Sequence, residues 1–160
     1  PGFAQVSDAL VWPDDPVAAT RLVAELVLDM FLAGARDGRT ALILTHALTG
    51  LMAAWNIGTE TDAELHHRLV REAFRSAAAM HVAFSPLQGE SAMAGEAAQS
   101  AQAAQGAPAA PPSARQLIAN AIASGDDHVI KLTDACLDLE AITGCSRFRI
   151  AAARGAELMG

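Results

Sequence analysis

The sequence predicts an all-α protein: six helices in two groups of three, packed as an orthogonal bundle, with a long Ala-, Gln- and Pro-rich loop between the groups. Three observations carry this prediction. No stretch alternates apolar and polar residues with period two, the mark of a half-buried strand. Apolar residues recur instead at spacings of three and four. The residues that punctuate these runs, Asp, Ser or Thr before them and Gly after, are those of helix ends.

Taken in order, Asp15 followed by Pro16 reads as an N-cap and first helical position, opening a helix whose apolar stripe Leu22, Val23, Leu26, Val27, Met30 and Phe31 runs to about Ala35. A second helix, apolar on nearly every face, spans about Arg39 to Asn56, with Gly58 as its stop. Its apolar core from Ala41 to Trp55 is broken by Thr45, His46, Thr49 and Gly50 and is shorter than the roughly 20 residues a membrane span needs. Thr61 and Glu64 form an expected capping box for a third helix that ends before Pro86. Residues 88–112 then turn to Ala, Gln, Gly, Ser and Pro with almost no large apolar side chain, the composition of a flexible linker or surface loop. Ser113 with Gln116 opens a short helix that Gly125 closes, Asp126 and Asp127 lead into a helix from about His128 to Ile142, and a last helix runs from about Ser146 to Leu158. The expected organisation is a helical group over residues 1–87, a linker over 88–112 and a second helical group over 113–160, together one partial domain. The opening at Pro1, with no methionine, reads as a fragment, a processed product or an incomplete gene model.

Composition narrows the function. With 160 residues and 52% hydrophobic content, the chain can build a sizeable core. Eighteen acidic side chains against eleven basic ones argue against nucleic acid and against anionic membranes. Aromatics at 4%, with no tyrosine, leave no stacking platform for single strands. Cys136 and Cys145 fit neither a disulfide framework nor a zinc motif and read as reduced thiols of a cytoplasmic protein. No secretory signal pattern is visible at the N-terminus.

Few residues can carry chemistry. His66 and His67 point about 100° apart on their helix, and His81 lies roughly 22 Å from His66, so these read as surface or interface histidines. His46 sits among Leu42, Ile43, Leu44, Ala47, Leu48 and Leu51, so it is either a hydrogen-bonded core histidine or a metal ligand. His128 and Lys131 share one helical face behind two acids, and Lys131 is the only lysine in the chain. A desolvated lysine can lose its proton where arginine cannot, whereas an exposed one would pair with Asp127. Ser124, His128 and Asp134 suggest a small hydrolase only weakly, because no nucleophile-elbow pattern surrounds the serine.

Two stretches, Leu44-Thr45-His46-Ala47-Leu48-Thr49-Gly50 and Ser124 through Cys136 (SGDDHVIKLTDAC), resemble the C-terminal part of the questin oxidase-like family in sequence, order and separation. That resemblance implies an all-α oxidoreductase that opens the ring of an anthraquinone-type aromatic polyketide, by dioxygenase or Baeyer–Villiger-type chemistry. It implies Fe(II) held by His46, His128 and Lys131, the last as its carbamate, with any need for NADPH left open. Members are more than twice as long, so a missing N-terminal part or partner chain would complete the site, and activity of this chain alone is not expected. The alternative is a non-catalytic helical interaction module that forms a homo-oligomer, with His46 in the core and Lys131 exposed.

Overall fold

A computed structural model describes residues 10–84 and 110–160. Among these the chain forms six helices and no strand: α1 Pro16–Gly34, α2 Gly38–Gly58, α3 Ala63–Phe84, α4 Ala114–Ser124, α5 Asp127–Thr143 and α6 Arg147–Met159. The expected 88–112 segment lies, but for its last three residues, outside the described residues.

Local chemistry sets the boundaries. The Asp15 carboxylate accepts from Ala18 N at 2.9 Å, and Pro16 occupies the first turn of α1. α2 begins earlier than its apolar pattern, because Asp37 and Thr40 form a reciprocal box: Thr40 N donates to Asp37 Oδ1 at 2.8 Å and Asp37 N to Thr40 Oγ1 at 3.1 Å. The expected Thr61–Glu64 box does not form. Thr61 Oγ1 donates to Gly58 O at 2.9 Å, tying off the end of α2, and Asp62 caps α3 by accepting from Leu65 N at 2.8 Å. Ser113 accepts from Gln116 N at 3.3 Å to open α4. Gly125 and Gly144 close α4 and α5 in the left-handed region, at φ 69° and 76°, where glycine pays no Cβ penalty. Between them the Asp126 carboxylate caps α5, accepting from His128 N at 2.8 Å and Val129 N at 3.1 Å.

All six helices feed one core. Val27, Leu28 and Phe31 of α1, Leu44, Leu48 and Leu51 of α2, Val70 and Phe74 of α3, Leu117 of α4, Leu132 and Leu139 of α5 and Phe148 of α6 belong to a single buried cluster. The helices before and after the intervening segment thus share their interior. α2 is central: it packs against α1, α3, α5 and α6, whereas among the described helices α3 packs only on α1 and α2, and α4 only on α5 and α6. With 21 residues, α2 is longer than its uninterrupted apolar run. It is the one helix among the described residues long and apolar enough to cross a membrane, and half of its apolar window is buried inside the fold, as in a core helix.

Arginines tie the two groups together at helix ends. Arg21 Nε donates to Ile142 O near the end of α5, and Arg154 Nε to Ala35 O at the end of α1, both at 2.9 Å. Carbonyls in a last turn lack an intrahelical partner, so a guanidinium satisfies them and offsets the negative end of the dipole. Arg149 grips Glu140 with two 2.7 Å contacts between α6 and α5.

Candidate metal centre

The core stripe of α2 is Ala41, Leu44, Thr45, Leu48, Leu51 and Met52. Its opposite stripe, His46, Gly50, Ala53 and Ile57, faces outward between α3 and α5. His46 is therefore exposed, not buried as its apolar neighbours in sequence suggest. On a 3.6-residue helix Leu44, Leu48 and Leu51 point away from it into the core. Its Nδ1 lies 2.9 Å from Leu42 O, and a carbonyl can only accept, so Nδ1 carries the proton and Nε2 is left for another partner.

The start of α5 meets this stripe. The rings of His46 and His128 stand with centroids 5.9 Å apart, tilted by 53°. Two imidazoles on one metal, each with a nitrogen about 2.0–2.1 Å from the ion, place their centroids roughly 5–6 Å apart, so the observed separation suits a shared ion. His128 is half-buried, and its Nδ1 lies 3.1 Å from Asp127 Oδ1 and 3.6 Å from Asp126 Oδ1. One donor atom each from Asp126, Asp127 and His128 fall within 4.8 Å of one another. His46 is not part of that group, whose one imidazole and two carboxylates make a nitrogen–oxygen donor set of the kind divalent ions take. The same acids also do ordinary work at a helix N-terminus, where the dipole favours negative charge.

Lys131 is exposed, and its Nζ donates to Asp127 Oδ2 at 2.7 Å. That hydrogen bond, followed by the field of His128, holds the Asp127 carboxyl below its ordinary range. The three residues singled out by sequence therefore gather at one place: His46 against His128, and Lys131 joined to His128 through Asp127. Asp127 is the member that sequence reasoning assigned no chemical role. The signal was present in Asp126-Asp127-His128, but acids at a helix start need no further explanation and hide easily.

His66, His67 and Cys136 lie elsewhere. His66 is buried rather than on the surface, with its Nε2 3.5 Å from Thr20 Oγ1 and its ring edge-on to Trp55 at 5.4 Å. His67 is half-buried, with Nε2 donating to Asp14 O at 2.6 Å. Cys136 is fully buried, and burial pushes its thiol up, out of reach of thiolate chemistry. No family model matches the chain, and no curated protein or solved structure does either.

Proposed function

We propose that the chain is the C-terminal part of an oxidoreductase like the questin oxidase-like proteins, holding Fe(II) between His46 and His128 and acting on an aromatic polyketide-like small molecule. The observation that supports this is the approach of two imidazoles from separate helices, with ring centroids 5.9 Å apart, one of which, His128, has the Asp127 carboxylate 3.1 Å from its Nδ1. Iron bound there would supply dioxygen binding and activation. The chain's own residues orient the ligands. Leu42 O fixes the His46 tautomer, and Asp127 holds the proton on His128 Nδ1 or, with the ring turned, stands as an oxygen ligand beside it. A further segment or partner chain would supply the remaining walls, in a cytoplasmic protein.

The third ligand is either the carbamate of Lys131, as the resemblance implies, or Asp127, the anion already present. Iron content of protein reconstituted anaerobically with bicarbonate separates them. A carbamate ligand loses iron in Lys131→Arg and keeps it in Asp127→Asn; a carboxylate ligand gives the reverse. Iron retained by both variants, or none bound by the parent, contradicts the proposal. Oxygen uptake with and without NADPH then decides whether a reductant is required.

A second reading, a homo-oligomerising helical module, draws on Ile118 and Ile122 of α4 and Ile130 of α5, which line one side of the fold with 46%, 68% and 43% of their surface exposed. Sedimentation of the metal-free chain as a stable dimer favours that reading.

A further inference from the structure

We infer that the outer face of α4 and α5 is a two-fold docking surface for a second copy of this chain, closed by Arg115 of one copy against Asp134 of the other. The inference rests on the homo-oligomer reading, not on iron, and names the face, the symmetry and the pairing. α4 buries Leu117 and Ala121 against the rest of the fold and turns Ile118 and Ile122 outward. Beside them lies a groove of about 260 Å³ between the two helices, with Ile130 and Leu137 on the α5 side. Ile122, 68% exposed, is the ridge of this face, and the groove is its depression. A surface that offers both can pack on its own copy, ridge into groove.

Charge decides the occupant. On α4, Arg115 stands one turn before Ile118, on the stripe that continues to Ile122. On α5, Asp134 stands one turn from both Ile130 and Leu137 and lines the groove. Both are exposed, and neither has an ion-pair partner among the described residues. Within the chain Asp134 acts on a like charge instead: burial, and then the field of Asp134, raise the Asp138 carboxyl. A two-fold axis brings each free cation onto the partner's free anion, so the same contact is made twice. An unrelated partner would have to supply both charges in the matching places.

Thr133 is an independent sign that this face takes a partner. It is 3% exposed and lines the groove, and its Oγ1 has no hydrogen-bond partner among the described residues. Thr20, Thr45, Thr49 and Thr143 each donate to the carbonyl four residues back in their helices. The Thr133 hydroxyl makes no such bond, and a buried hydroxyl left without one is costly. A guanidinium carries five donors, enough for the Asp134 carboxylate and for the hydroxyl of the residue before it.

The test is sedimentation of the full chain in EDTA, which removes metal as a bridge. The parent should dimerise reversibly. Ile122→Glu should weaken the dimer about tenfold or more while melting as the parent does, because that side chain is exposed in the single chain. Arg115→Asp and Asp134→Arg should each weaken self-association about tenfold or more, since each sets like charges opposite one another twice. Mixed in equal amounts, those two variants should form a heterodimer tighter than the homodimer of either, because the exchanged charges then match. A parent that stays monomeric overturns both the inference and the homo-oligomer reading. A dimer that survives Ile122→Glu, or no preference for the mixed pair, overturns the inference alone and moves the contact to another face.

Discussion

At the scale of single residues, His66 is the clearest case of environment deciding behaviour. It is 4% exposed, packed against Trp55 and Thr20, and its ring occupies the space where a Cβ at Gly58 would stand. Burial lowers its pKa from 6.5, the neighbouring His67 adds to this, and Asp15 opposes it only weakly. The unfolded chain therefore binds more protons than the folded one in the window below about 6.5, and stability rises with pH there. The melting temperature should fall as pH is lowered from 7.5 to 5.5, and the His66→Gln variant should show a shallower decline. An unchanged slope in the variant would assign the pH dependence to other groups. Sequence alone made His46 look buried and His66 look superficial, and the structure reverses both. Apolar neighbours in sequence say little about which helical face a residue occupies, whereas Trp55 and Thr20, the partners that bury His66, come from other helices.

At the scale of elements, the helices were legible because their caps are local chemistry. Asp15, Ser113, Gly125 and Asp126 all act where their residue types imply. The errors are local too. Thr61 and Asp62 are both good caps one position apart, and Thr61 is drawn away by the Gly58 carbonyl, which accepts from both its hydroxyl and its backbone N–H. Close helix approaches were not legible, since they depend on partners distant in sequence. Gly155 of α6 lies where an added Cβ would collide with the side chain of Leu132, fully buried in α5. At Gly38 a Cβ would come within 2.8 Å of the backbone oxygen of Leu158. Gly155→Ala and Gly38→Ala should each destabilise the protein by about 1–3 kcal/mol, despite the better helix propensity of alanine. Urea unfolding midpoints check this, and a midpoint at or above that of the parent would mean that these helices separate freely.

At the scale of the whole molecule, the two helical groups are bound by one core and by arginines reaching across to helix ends. Sequence implied the groups but not their shared interior, because that depends on which stripes of α1, α2, α5 and α6 meet. Phe148 of α6 is fully buried in the common cluster, whereas both tryptophans, Trp12 and Trp55, precede α3. Phe148→Ala should cost about 3–5 kcal/mol and shift the tryptophan fluorescence transition as far as the far-UV circular dichroism transition. A fluorescence transition left in place would mean that the two groups unfold independently.

The site depends on that shared interior. His46 belongs to the first group and His128 to the second, and only the packing of α2 on α5 brings them into contact. Both residues stood out in the sequence, but sequence could supply neither their distance nor the carboxylate of Asp127 between His128 and Lys131. The central claim is that the two imidazoles share one ion. Its most direct test is Fe(II) affinity in a double-mutant cycle of His46→Ala and His128→Ala. If they share an ion, each single variant loses nearly as much affinity as the double variant, because the site fails as a unit. Losses that simply add, or an affinity indifferent to either histidine, would contradict the account.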